Sequence, residues 1–299
     1  MSGEGAGTTA DGAGVVLVKG AGDVGSAVAH ALFRAGYRPL LVDSPTPSVA
    51  RRRMAFADAL YDGRATLEGV VAERADTPEA VRALLAAGRV IPILAEGTRA
   101  AALPADLRPA VVVDARMRKR LRPECQIHEA PLVVGLGPRF RAGETVHAAI
   151  ETNWGAELGR VLWTGEPAAY TGEPRAILGY ARERYVYAPR AGRFHTRLDI
   201  GAPVKRGQVV GRVDDTPLVA PIDGVVRGIP RGGIAVAAGA KLVDVDPRGD
   251  AALAAGIGER PRRIAAGVLA AVQAGAAPAS WVNSARGPVP DPTALIDSR

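Results

Sequence analysis

The patterned part of the chain opens on an unbroken apolar run, Val-Val-Leu-Val at 15–18. A run without alternation predicts a strand buried on both faces. The loop Gly20-Ala21-Gly22-Asp23-Val24-Gly25 follows at once. A helical pattern then carries Val28, Leu32 and Phe33 on one side and stops at Gly36. A second apolar run at 39–42 ends in Asp43. The alternation continues with a strand at 69–72 and a helix that Thr77 caps, Pro78 starts and Gly88 ends. Pro92 marks the apolar run 90–94 as an edge or irregular strand. The run 110–113 is the last clear strand of this series, with Asp114 at its carboxyl end.

Shorter strands are expected within 128–138 and around 146–151 and 160–163, and the pattern changes again at Tyr185. From there short β runs alternate with turn residues. Ala188-Pro189-Arg190-Ala191-Gly192 is echoed 32 residues later by Ala220-Pro221-Ile222-Asp223-Gly224. A last helix is expected over 262–273, with Ile264, Val268, Leu269 and Val272 on one face and small residues at Ala265, Ala266 and Gly267.

These elements predict an α/β chain of two folded parts. The first is a Rossmann-like parallel-sheet domain over 14–122, followed by a connecting β segment over 123–183. The second is an all-β domain over 184–248, followed by a helix over 249–274. Disordered tails are expected at 1–13 and 275–299.

The loop at 20–25 lies between a strand and a helix, where a GxGxxG pattern serves dinucleotides. Gly20 permits the tight turn, Gly22 lets the backbone approach a pyrophosphate, and Gly25 lets helix and strand pack closely. Ala21, Asp23 and Val24 complete the loop, and the helix start offers amides to an anion. Asp43 stands where an acid takes ribose hydroxyls. Arg51-Arg52-Arg53 fits either a 2′-phosphate or a solvated helix face. Asp114 is a site candidate because ligands gather at the carboxyl ends of parallel strands. His128, His147, Glu151 and Asn153 form a candidate polar substrate cluster. Cys125, His147 and Glu151 are the candidate catalytic groups, Cys125 as a thiolate between basic residues and His128. No Cys-x-x-Cys or His-Glu-x-x-His occurs, so no metal site is expected.

The 299 residues carry a formal charge of +7, yet only Lys19, Lys119, Lys205 and Lys241 among the 38 basic residues are lysines. Arginine this abundant reads as compositional, or as attraction for a small anionic ligand. No basic stripe is interleaved with aromatics, so nucleic acid is not an expected partner. The single cysteine and the lack of a signal peptide or an apolar run of membrane length point to the cytoplasm.

The second part resembles the barrel-sandwich hybrid of lipoyl and biotinyl domains. Its expected hairpin tip, Val213-Asp214-Asp215-Thr216-Pro217, has no lysine, so covalent biotin or lipoate is not expected. Together with Lys19-Gly20-Ala21-Gly22-Asp23, the stretches at 130–138, 146–153, 158–163, 220–225 and 244–248 resemble one family in order. These are the selenium-dependent molybdenum hydroxylase accessory proteins of the YqeB type. The resemblance implies a role in maturing a molybdenum-cofactor hydroxylase, with that hydroxylase as partner and a nucleotide or molybdopterin-type anion as ligand. An NAD(P)-dependent oxidoreductase and a non-catalytic scaffold with a vestigial loop stay open, as does self-association.

Overall fold

The computed structural model describes residues 14–97, 103, 105–118 and 121–275. The expected tails at 1–13 and 275–299 lie outside them, except for Gly275. Over the described residues the protein is a mixed α/β chain with one nine-stranded sheet and two four-stranded antiparallel sheets.

Strand β1 (Val15–Lys19) leads into helix α1 (Asp23–Arg34) and strand β2 (Arg38–Asp43). A short helix α2 (Ala59–Asp62) precedes the antiparallel pair β3 (Arg64–Leu67) and β4 (Val70–Arg74). Helix α3 (Pro78–Ala87) follows, then β5 (Ile91–Ala95), β6 (Pro109–Asp114), β7 (Leu132–Leu136), β8 (Ala148–Ile150) and β9 (Val161–Leu162). The order across the sheet is β3-β4-β5-β2-β1-β6-β7-β8-β9, antiparallel only at its two outer pairs.

The uninterrupted apolar runs have a plain cause. Val16 and Val18 pack into the core beneath α1, whereas Val15 joins Leu40, Val81 and Leu85 on the face covered by α3. A sheet covered on both sides leaves no position for a polar alternate. Helix α3 starts as its sequence predicts, with Thr77 Oγ1 accepting the Ala80 N–H at 3.2 Å and Gly88 left-handed at φ 61°.

Two findings depart from the sequence reading. Strand β5 is an inner strand, wholly buried between β4 and β2. Pro92 is tolerated because pairing with β2 begins only at Ile93. The sheet also continues past Asp114: β7 pairs parallel with β6, so residues 132–162 extend the same layer.

The remaining strands are β10 (Tyr185–Tyr187), β11 (Gly192–His195), β12 (Pro203–Val204), β13 (Val209–Val213), β14 (Thr216–Val219), β15 (Gly224–Gly228), β16 (Ala235–Val236) and β17 (Lys241–Asp246). They form sheets of order β10-β17-β15-β12 and β14-β13-β11-β16 around a separate apolar core. The 32-residue echo is a physical dyad. Gly207 N–H bonds to Ala220 O and Ala220 N–H to Gln208 O. Shifted by 32 residues, Gly239 N–H bonds to Ala188 O and Ala188 N–H to Ala240 O.

Helix α4 (Glu259–Ala274) returns to the first sheet and packs against α1. Arginines fasten the two parts together. Arg52 and Arg53 both reach Asp199, Arg52 Nε donates to Ile229 O, and Arg231 Nε donates to Asp58.

Candidate functional site

A cleft of about 1360 Å³ lies where the glycine loop, the segment 43–54, the start of α4 and the β10–β17–β15 face meet. Nine basic and four acidic side chains line it.

The glycine loop forms one wall. Gly20 has φ 99°, and a Cβ there would lie 3.0 Å from the Ala115 carbonyl. A Cβ on Gly25 would collide with the Gly20 carbonyl oxygen, which is why α1 can start so close to β1. Gly22 faces open space. The loop is partly closed by its own acids. Asp43 accepts the Ala21 N–H at 2.6 Å and the Ser44 N–H at 2.7 Å, so both its oxygens are engaged. The Asp23 carboxylate accepts Val24 N–H and Arg51 Nη1, each at 3.0 Å. Burial pushes the Asp23 pKa up, but Arg51 and Arg260 outweigh it and hold the group below its usual value.

Arg51 continues from Asp23 to Asp244 of β17, at 3.1 Å. Asp244 is fully buried and also receives Arg184 Nη1 and, at 3.1 Å, Lys241 Nζ. Burial would raise its pKa, yet Lys241, Arg51 and Arg184 hold it at about 2. Arg184 and Lys241 both stack on the Tyr185 ring, at 4.3 and 3.3 Å from its centroid.

Two guanidinium groups of the lining lack such compensation. Arg227 comes no nearer than 3.9 Å to a carboxylate, that of Asp246, and its buried Nε has no partner among the described residues. Asp246 is already held by Arg248 through two bonds of 2.9 and 2.6 Å. Arg260, in the first turn of α4, donates from Nε to Thr152 O at 2.8 Å, and no carboxylate of the described residues comes within 4.0 Å of it. Burial lowers the pKa of both arginines, the first and largest effect on each. The acids that act on them, Asp244 and Asp246 on Arg227 and Asp23 and Glu151 on Arg260, do not outweigh burial, so an arriving anion would be favoured.

The other sequence candidates fall into two groups. Gly20, Gly22, Asp23, Val24, Asp43 and Asn153 line the cleft, while Ala21 and Gly25 are buried behind it. Asp114 is 3% exposed and gripped by Arg116 at 3.0 and 2.5 Å and by Gln126 at 2.8 Å. Burial raises its pKa, but Arg116 and Gln126 bring it below the ordinary value. The hollow beside it measures about 10 Å³, room for one water. Asp114 therefore orients Arg116, which does line the cleft.

Glu151 is a buried clamp that accepts Asn153 N–H and Ala168 N–H, both at 2.7 Å. Asn153 Nδ2 reaches Ala168 O and Ala169 O at 3.3 and 3.0 Å. Together they hold the loop that carries Tyr170 to the cleft. His147 is committed through Nδ1, which accepts the Val133 N–H at 3.0 Å. His128 and Cys125 are exposed, and neither borders the cleft. Among the described residues no group of three His, Cys, Asp or Glu is placed to hold a metal ion, and no helix is long and apolar enough to cross a membrane.

No family model matches the chain. It is 37% identical over 258 residues to a protein of Escherichia coli (strain K12) named "Uncharacterized protein YqeB". The match covers 86% of this chain and 47% of the relative, so the chain spans about half the length of that protein. Among solved structures, an aspartoacylase family protein from Mesorhizobium loti is 15% identical, covering 78% of this chain and 85% of the other at a TM-score of 0.23. A succinylglutamate desuccinylase/aspartoacylase from Rhodobacter sphaeroides is 28% identical over 21% of each chain, with a TM-score of 0.20.

Proposed function

We propose that this protein holds a polyanionic, phosphate-bearing cofactor in the cleft and acts as an accessory protein in the maturation of a molybdenum-cofactor hydroxylase, a selenium-dependent one included. The observation that carries the ligand half is the pair Arg227 and Arg260: two partly buried guanidinium groups on one cleft, the first with an unbonded Nε and no carboxylate nearer than 3.9 Å, the second with no carboxylate of the described residues within 4.0 Å. A phosphate or pyrophosphate bound in the cleft would add opposing charge and accept hydrogen bonds from guanidinium groups such as the unbonded Arg227 Nε. The start of α1 adds its amides to the same wall.

A molybdopterin-type anion fits this donor set. Its phosphate would fall to Arg227, Arg260 and the Gly22–Asp23 amides, with Trp154, Tyr170 and Tyr187 able to stack on a flat heterocycle. The cleft exceeds the roughly 300–1,000 Å³ of ordinary small-molecule pockets, which suits a cofactor extended by a nucleotide. When bound, that group would bring the metal and sulfur chemistry. The protein's own residues bind, orient and shield. The pathway half rests on the resemblance of the stretches at 130–138 and 146–153 to the hydroxylase accessory family.

The finer architecture belongs to this reading too. The order strand, glycine loop, helix, strand supports a Rossmann-like first domain. The 32-residue dyad supports a barrel-sandwich hybrid for the second. An NAD(P)-dependent oxidoreductase has less support. Asp43 is spent on the loop's own amide, and His147, the expected acid, is bonded to Val133 outside the cleft.

Isothermal titration with pyrophosphate, nucleoside diphosphates, NADPH and isolated molybdenum cofactor tests the ligand. Binding weakened at least about tenfold in both Arg227→Met and Arg260→Met supports the reading, and unchanged binding refutes it. A host lacking the protein tests the pathway: normal hydroxylase activity with normal metal and selenium content removes it.

A further inference from the structure

Lys241 opens β17 on the cleft wall. Its Nζ lies 3.3 Å from the centre of the Tyr185 ring and 3.1 Å from Asp244 Oδ2. The charged groups around it come from four segments. Asp244 and Asp246 share its strand, and Arg248 follows them. Arg184 and Tyr185 come from the start of β10, Arg227 from β15, and Arg51 from the segment after β2. Asp23 reaches the group only through Arg51.

The charges do not balance. Arg51, Arg184, Arg227, Lys241 and Arg248 face Asp23, Asp244 and Asp246. Asp244 alone, with no exposed surface, serves three of these cations. A guanidinium keeps its proton at any pH a protein survives. The lysine is the one cation here that can relieve the excess by giving its proton away. Burial first, then Arg51 and Arg184, outweigh Asp244 and bring the Lys241 pKa down to about 7.

We propose that Lys241 is a nucleophilic amine of the cleft, able to condense with an aldehyde or ketone carbonyl of an anionic ligand held by the neighbouring arginines. The Nζ lone pair attacks the carbonyl carbon and a C–N bond forms. The carbonyl oxygen takes up protons and leaves as water, and Nζ loses its own protons to solvent, giving an imine with no change of oxidation state. Asp244 is too weak a base to remove a proton from Nζ, so its part is to fix the amine against the Tyr185 ring. The anionic half of this proposal rests on the cleft reading above. The amine half stands on the charge cluster alone.

The protein has four lysines, which makes the test clean. The full chain is treated near neutral pH with pyridoxal 5′-phosphate, an anionic aldehyde, then with borohydride, and labelled peptides are mapped. Lys241 should be labelled at least about tenfold faster than Lys205, whose side chain is 82% exposed, and pyrophosphate should slow it. Labelling of Lys241 no faster than Lys205 overturns the proposal. Fluorodinitrobenzene, an uncharged reagent, separates reactivity from affinity. A midpoint near 7 for its reaction with Lys241 supports the nucleophilic amine, and a midpoint close to the ordinary 10.5 overturns it. Reaction with both reagents but no slowing by pyrophosphate supports the amine and counts instead against the anionic ligand of the cleft.

Discussion

Gly159 and Gly267 meet backbone to backbone where α4 crosses the loop after β8. A Cβ on Gly267 would overlap the Gly159 carbonyl oxygen and lie 3.0 Å from its carbon, and one on Gly159 would lie 3.0 Å from the Arg263 carbonyl carbon. Both partners are backbone, so neither can swing aside. This contact sets the height of α4 on the sheet and with it the place of Arg260, whose Nε is tied to Thr152 O.

Gly267→Ala should therefore destabilise the protein in spite of its better helix propensity. Overpacking of a rigid contact costs about 1–3 kcal/mol or more, and alanine returns about 1 kcal/mol within a helix. A net loss of about 1–2 kcal/mol by urea unfolding is expected, together with weaker pyrophosphate binding as Arg260 shifts. An unchanged midpoint would mean that α4 can slide freely.

Some of this was legible in the sequence. Gly267 among alanines announces close packing, and the run at 15–18 announces a strand covered on both faces. The 32-residue echo announces a dyad because two equal halves repeat their turn residues. Other features were hidden for identifiable reasons. Pro92 looks like an edge residue until the offset of the β5–β2 ladder is known. The candidates Asp43, Asp114, His147 and Glu151 have the right chemistry for a site, but each spends its polar atoms on a neighbouring backbone or side chain. Arg51 stood out only as part of an arginine triplet, and Arg184, Arg227 and Arg260 had no local spacing to betray them. They meet only through the fold, in a chain where arginine is everywhere.

Asp244→Asn should be among the most damaging single changes in the second sheet pair. It would leave Arg51, Arg184 and Lys241 around a neutral amide in a fully buried position. Removing one side of a buried ionic cluster costs about 3–5 kcal/mol. Chemical denaturation should show a loss of that order, and a much smaller one for Asp223→Asn, whose partner Lys205 is exposed. Equal effects would mean that solvent screens the Asp244 cluster.

Glu151→Gln tests whether the clamp serves the cleft. One of its two acceptors becomes a donor facing an N–H, either of Asn153 or of Ala168. The cost is about 1–3 kcal/mol, the price of an unmade buried bond. The loop to Tyr170 should loosen, seen as faster amide exchange at 168–170 with little change in the core strands. Uniformly faster exchange would assign Glu151 to global stability alone.

Lys241→Met gives a prediction whose sign depends on pH. The folded pKa of about 7 lies below the ordinary 10.5. Between these values the unfolded chain binds the proton and the folded chain does not, so stability rises with pH through that window. Below about pH 7 both states hold the proton, and the full cost of a charged Lys241 beside Arg51 and Arg184 is present. Methionine removes that cost, keeps the packing against Tyr185, and leaves Asp244 paired with two arginines. The variant should be more stable than the parent by about 1–2 kcal/mol near pH 6.5, and the gain should fade as pH is raised toward 10. A lysine stabilised by Asp244 would give the reverse: Lys241→Met would then be destabilising at pH 6.5, and the excess of positive charge at the cleft would have to be balanced by some other group.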